Sequence, residues 1–242
     1  MRARWPARRS VPATGRSPRP SSPRSPSAAE TMCTTAVLLD PRLPDQTGLE
    51  AEAGAVRTVL LAERTAKDLG QWELMASAFA PDARVSVSWF QGSGADFVES
   101  ARARSARGGS PSFHEIGAIS VVVRENRALA DTGCAVHIRG TLEDVPVDVV
   151  SRGRLCWRAE RLADRWLIAG MDMIYFRDNI SAVEPGAPLA LPGSVHDQRP
   201  SYRHLAVLLR DMGHPVAPDL PGADRPDLIE ALFSEQRHWF FS

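Results

Sequence analysis

Four long strand-like segments, 114–123, 127–139, 146–160 and 165–177, follow one another with only short turn sequences between them. The turns fall at Arg124-Glu125-Asn126, across Gly140 to Pro146, and at Leu162-Ala163-Asp164. Connections this short join antiparallel neighbours, because parallel strands need a long crossover. Ahead of the strands the pattern is helical. Residues 50–69 read as a helix in which Leu61, Thr65, Asp68 and Leu69 share a stripe at i, i+4, i+7 and i+8. Gly70 breaks it, and Trp72, Met75 and Phe79 begin a second, short helix that Pro81 stops. Val85 to Trp89 alternates as a strand, Gly92 to Gly94 turns the chain, and 95–106 is a third helix. Helices followed by a meander predict an α+β fold, with helices packed on one face of a curved antiparallel sheet.

The flanks divide the remaining chain. Residues 1–49 are expected to form an Arg/Ser/Pro-rich tail, disordered over its first 30 residues because such a composition buries too little apolar surface to offset ordering entropy. The folded domain spans 50–180, a proline-bearing linker covers 181–200, and 201–242 forms a helical hairpin. In that hairpin Tyr202, Leu205, Leu208, Leu209 and Met212 mark one helix. Asp224 is expected to cap the second, with Pro226 in its first turn and Leu228, Ile229, Leu232 and Phe233 as its stripe. The terminal Trp239-Phe240-Phe241 is expected to dock.

The formal charge over 242 residues is +0, yet residues 1–29 carry seven arginines and no acid. The body is therefore acidic, which argues against non-specific nucleic-acid binding by the folded part. No apolar run nears the roughly 18 residues of a membrane span. Three scattered cysteines without a CxxC spacing fit free thiols in a reducing cytoplasm. The phosphate-loop, GxSxG and HExxH patterns are absent, and Gly92-Ser93-Gly94 lacks the later glycine of a dinucleotide loop. No metal site is suggested, and no cofactor is expected. His196, His204, His214 and His238 read as surface or capping residues.

Asp68, in Ala66-Lys67-Asp68-Leu69-Gly70-Gln71-Trp72, and His114, in Phe113-His114-Glu115-Ile116-Gly117, stand apart. A carboxylate within reach of an imidazole fixes the ring tautomer, and the ring can then take a proton. Set in the order helix, acid, Trp, Pro-Asp, helix, His, four strands, the pair resembles the SnoaL-like, nuclear-transport-factor-2-like superfamily. That superfamily includes scytalone dehydratases and hexachlorocyclohexane dehydrochlorinases. The resemblance covers residues 55–180 and ends with Trp157 and Arg165-Trp166-Leu167-Ile168-Ala169-Gly170 on the last two strands.

The resemblance implies an NTF2-like cone with Asp68 and His114 as a catalytic pair and His137 as a second catalytic histidine. Two tyrosines that hold substrate in the dehydratase correspond to Lys67 and Val87, and its pocket Ser and Asn to Arg152 and Arg154. Substrate contacts are therefore expected from Val87, Trp89 and Arg154, the last suited to a carboxylate, phosphate or enolate oxygen. It further implies a homodimer formed through the outer sheet face, acting on a small molecule. The expected activity is a cofactor-independent lyase or cyclase, with a non-catalytic ligand-binding or assembly domain as the alternative.

Overall fold

The computed structural model describes residues 38, 40, 42–107 and 112–242, so the first thirty residues of the expected tail lie outside the described residues. In chain order the elements are α1 (Glu50–Asp68), α2 (Trp72–Ala76), β1 (Phe79–Val87), β2 (Phe90–Ser93), α3 (Gly94–Ala106), β3 (Ser112–Ile116), β4 (Ser120–Arg124), β5 (Arg127–Leu142), β6 (Val145–Leu162) and β7 (Arg165–Ala182). A 3-10 turn (Gly193–Asp197), α4 (Arg203–Asp211) and α5 (Pro226–Phe241) follow. The expected α+β architecture is present: one seven-stranded sheet in the order β2-β1-β7-β6-β5-β3, with β4 also on β5. β1 runs parallel to β7, and every other pairing is antiparallel. No helix among the described residues is long and apolar enough to cross a membrane.

The strands are longer than the sequence pattern suggests. Where a loop is expected from Gly140 to Pro146, β5 and β6 stay paired out to Leu142 and Val145. Only Glu143 and Asp144 turn, both at positive φ (48° and 62°). Ala163 and Asp164 repeat this between β6 and β7 (46° and 64°). Two consecutive positive φ angles match the right-handed twist of the flanking strands, as in a type I′ turn. Gly140 belongs to the sheet, and a Cβ there would stand 2.7 Å from Leu208 of α4.

Three expected elements are revised. The second helix ends at Ala76, and Phe79 and Pro81 belong to β1, where a register irregularity between Phe79 and Arg84 accommodates the proline. The strand expected to reach Trp89 stops at Val87, and Ser88-Trp89 form a two-residue turn into β2, which includes Gly92. The segment 114–123 is two strands. Ile116 pairs with Cys134 and Ser120 with Asp131, so the upper strand carries one extra residue, a bulge closed by Gly117 N–H to Gly133 O (2.9 Å).

The core lies between the sheet's inner face and α1–α4. Val56 and Leu60 of α1 and Phe97 of α3 meet Trp157, Ile168, Met171 and Met173. The terminal helices do not pack together as a hairpin. Leu205, Leu208 and Leu209 of α4 join that inner core, whereas α5 lies on the outer face over Val122, Leu129, Cys156 and Ile174. The expected docking of the terminal aromatics holds for Phe240, which is fully buried. Asp224 does not cap α5. Its carboxylate is held by Arg199 (2.7 and 3.0 Å) and by Ser201, and Arg225 takes the cap position. Part of the expected tail is also packed: Gln46 Oε1 accepts Val123 N–H (2.7 Å) and its Nε2 donates to Val123 O (3.1 Å).

An alanine with φ of 46° is strained, because its Cβ crowds the following carbonyl. Ala163→Gly should therefore stabilise the fold by about 1 kcal/mol despite glycine's larger unfolded-state entropy. Urea denaturation of the two proteins checks this.

Candidate active site

The helix that carries Asp68 stops immediately beyond it. Gly70 adopts φ +68°, its N–H bonds to Lys67 O (3.3 Å), and Gln71 N–H bonds to Ala66 O (2.8 Å). This pair of bonds is a Schellman ending, which glycine permits at no Cβ cost. Asp68 thus stands at the C-terminus of α1, facing the edge strand β3. One carboxylate oxygen accepts the His114 backbone N–H (2.8 Å) and the other meets His114 Nδ1 (2.7 Å).

The tautomer follows from the partners. A carboxylate only accepts, so Nδ1 carries the proton. Arg64 only donates, and its Nη1 lies 3.5 Å from His114 Nε2, so Nε2 presents its lone pair. The His114 side chain is 7% exposed. Burial pushes its pKa down. The hydrogen bond that Nδ1 donates to Asp68 opposes that, and the Arg64 and Lys67 charges reinforce the lowering, leaving a value of about 4. The ring is neutral at pH 7. Burial raises the Asp68 carboxyl, but its hydrogen bond and charge interaction with His114 outweigh this and hold it below its usual value.

The stripe of α1 that faces the site is Arg64, Lys67 and Asp68, at i, i+3 and i+4. The Leu61–Thr65–Leu69 stripe expected inward is exposed instead: Leu61 is 44% and Leu69 67% accessible. The buried face contains an ion pair, Glu63 with Arg64, both almost fully enclosed.

His114 and the Arg64 that faces its Nε2 both line a chamber of about 40 Å³ whose apolar wall includes Val87, Phe97, Leu155 and Met173, with Leu205 of α4 also lining it. A second, more open cavity of about 240 Å³ adjoins it, lined by Asp68, Trp72, Trp89 and Arg104 among others. Tyr175 also lines the inner chamber. Its oxygen accepts the Ser88 N–H (2.6 Å), which leaves the phenolic O–H free to donate inward. Burial keeps that phenol protonated well above its usual range.

Of the residues expected at the site, Asp68 and His114 are hydrogen-bonded to each other, and Val87 and Trp89 line the chamber. His137 and Arg154 do not reach it. Strand side chains alternate, and on β5 the chamber takes Val136 and Ile138, so His137 points to the outer face. There it stacks on Phe113 (4.4 Å) and lies 3.3 Å from Glu115. On β6 the chamber takes Leu155, and Arg154 is turned outward into an ion pair with Asp131 (2.6 Å). Arg152, likewise on the outer face, donates to Asn179. Sequence reasoning missed Arg64 and Tyr175. Their available signals were position i−4 from Asp68 and the parity that Tyr175 shares with Met171 and Met173. Among the described residues no three His, Cys, Asp or Glu side chains gather as a metal site.

Residues 51–172 match the SnoaL-like domain family, half of the chain. The chain belongs to that family. No curated protein matches it. Similar solved structures lie at low identity and bear on the fold alone. The Kfla4162 protein from Kribbella flavida is 16% identical, with a TM-score of 0.46, over 51% of this chain and 90% of that one. A putative scytalone dehydratase from Novosphingobium aromaticivorans DSM 12444 is 18% identical, with a TM-score of 0.44, over 58% and 97%. LinA is 13% identical, with a TM-score of 0.46, over 59% and 96%. Residues 1–50 and 173–242 lie outside the stretch that matches the family.

The depressed His114 pKa has a consequence for stability. The unfolded ring protonates near 6.5 and the folded one near 4, so between these values the unfolded chain binds more protons. The His114 contribution is present in full above pH 6.5 and is lost as pH falls toward 4. Urea unfolding at a series of pH values should give a shallower acid decline for His114→Gln than for the parent protein.

Proposed function

We propose that this SnoaL-like domain is a cofactor-independent lyase or cyclase that removes a proton next to a carbonyl in a small, mostly apolar metabolite of polyketide or aromatic type. The observation that carries the reading is the Asp68–His114 pair, with Nδ1 bound to the carboxylate and His114 lining a mostly apolar chamber. In the reaction, Nε2 takes the proton and the C–H electron pair passes into an enolate. Tyr175 O–H and Arg64 are the donors available to the enolate oxygen. Collapse of the enolate expels a substituent on the neighbouring carbon, as in a dehydratase, or attacks a second carbonyl, as in a cyclase. The imidazolium then returns its proton to the departing or newly formed oxygen. Asp68 steadies the imidazolium while it exists.

A base with a conjugate-acid pKa of about 4 is weak but fully deprotonated at neutral pH. An enolate beside it favours the imidazolium, so its basicity grows as the reaction proceeds. His137, expected to act as a second acid, is not available from its outer-face position, and Tyr175 takes that place in the proposal.

Deuterium exchange into the acidic C–H of a panel of aryl ketones and β-hydroxy ketones, read by NMR, tests the reading. His114→Gln should lose about 10²–10⁴-fold of the exchange rate with its circular dichroism unchanged. Asp68→Asn should lose a comparable factor, because its NH₂ would face Nδ1 and move the ring proton to Nε2. The kcat/KM profile should rise near pH 4 and stay level through neutrality. Exchange by His114→Gln at the parent rate would sink the mechanism and leave a binding or assembly role.

A further inference from the structure

Four residues line both the inner chamber and the outer cavity: Lys67, Trp89, Arg104 and Ser112. They form the neck between the two spaces, and two of them are cations. Lys67 is the only lysine in a chain whose other 28 basic side chains are arginine. Its Nζ lies 3.3 Å from Ser112 Oγ, a neutral partner. Arg104 rests over the Trp89 ring (5.4 Å) with Nη2 4.0 Å from the Met212 sulfur, neither of them a carboxylate. The nearest acid, Asp68, has both oxygens committed to His114.

The local charge is unbalanced. Arg64 and Glu63 neutralise each other. Among the described residues Lys67 and Arg104 then face only Asp68, and His114 is neutral, so one positive charge is left over. Burial and the neighbouring Arg64 and Arg104 charges lower the Lys67 pKa to about 8, despite Asp68 and Glu63. The Arg104 pKa is lowered by burial and by Arg107, which adds further positive charge at the outer side. Two half-buried cations that share one carboxylate are an unfavourable arrangement for an empty protein, and one that an anionic guest relieves.

On the proton-abstraction reading, we propose that the substrate is a monoanionic carboxylate whose acid group is held at the neck by Lys67 and Arg104, with Ser112 as a further donor. A single negative charge, together with Asp68, balances Lys67 and Arg104, the two cations at the neck itself. The size of the spaces agrees. The inner chamber of about 40 Å³ admits only a short carbon arm, the part presented to His114, and the outer cavity of about 240 Å³ exceeds the ~150 Å³ that takes up a benzene ring. The acid group is therefore a specificity handle beside the reacting carbon, and the bulk of the molecule stays outside the neck.

Matched probes test this on the full chain by calorimetric or NMR titration: phenylacetate, its neutral isostere phenylacetamide, and benzylphosphonate. Phenylacetate should bind at least about tenfold more tightly than the amide. Lys67→Gln and Arg104→Gln should each remove most of that preference, while Lys67→Arg keeps the charge and restores it. Arg152→Gln, which removes a positive charge on the outer face, should bind phenylacetate as the parent does, which separates the neck from the general charge of the protein. If exchange chemistry fails in every form but these binding results hold, the catalytic reading falls and the carboxylate site stands. Equal binding of acid and amide, binding of neither, a preference that survives both neutral substitutions, or tighter binding of benzylphosphonate overturns the proposal.

Discussion

One carboxylate ties helix to sheet at the site. Asp68 receives the main-chain N–H of His114 on one oxygen and the ring of the same residue on the other, so helix α1 is fastened to the edge strand β3 by two bonds to one residue. The fastening does three things at once. It satisfies a backbone donor that no strand on that side provides for, it selects the imidazole tautomer, and it leaves the other ring nitrogen facing Arg64. The Schellman ending at Gly70 supports this by stopping the helix where Asp68 must stand. Without that stop, the next turn of helix would carry the chain past β3.

Around this clamp the interior is unusually ionic for so small a chamber. Glu63 and Arg64 are consecutive in sequence and both buried, an arrangement that returns little net stability compared with apolar packing. Its effect is electrostatic. Arg64 keeps its charge beside His114 and helps hold the ring neutral, and Glu63 prevents that charge from being uncompensated. Tyr175 enters from the opposite wall, with its oxygen fixed by the Ser88 amide at the β1–β2 turn. Base and hydroxyl donor thus come from different elements, each held by a hydrogen bond and not by packing alone, the ring by the Asp68 carboxylate and the phenol by the Ser88 amide.

The strand meander was legible because alternation and turn residues report directly on antiparallel pairing, and the pairing of Asp68 with His114 was legible through the resemblance. What failed had physical reasons. Apolar periodicity placed the inner face of α1 through Leu61 and Leu69, since the true inner face carries the Glu63–Arg64 pair and breaks the hydrophobic pattern. His137 and Arg154 were assigned inward, but a one-residue difference in parity sends a strand side chain to the other face, and alternation in Ala135-Val136-His137-Ile138 does not announce which face is covered. The C-terminal helices each looked like half of a hairpin because amphipathicity reveals that a face is buried, not what buries it. Phe79 was given to a helix because its spacing from Trp72 and Met75 fits one, while the register break that lets Pro81 sit in a strand is tertiary.

The segment after α4 returns to β7 at an instructive place. Tyr175 N–H bonds to Pro221 O (2.9 Å), and Tyr175 O accepts the Ala223 N–H (2.8 Å). On one side Tyr175 pairs with Gly153 of β6; on the other the pairing of β7 with β1 ends at Ser86 and Asp172, and the segment around Gly222 takes over from it. The extension is thus part of the sheet that carries the chamber's hydroxyl: cutting the chain after α4 would strip both main-chain groups of Tyr175 of their partners, so the appendage and the chamber wall stand or fall together.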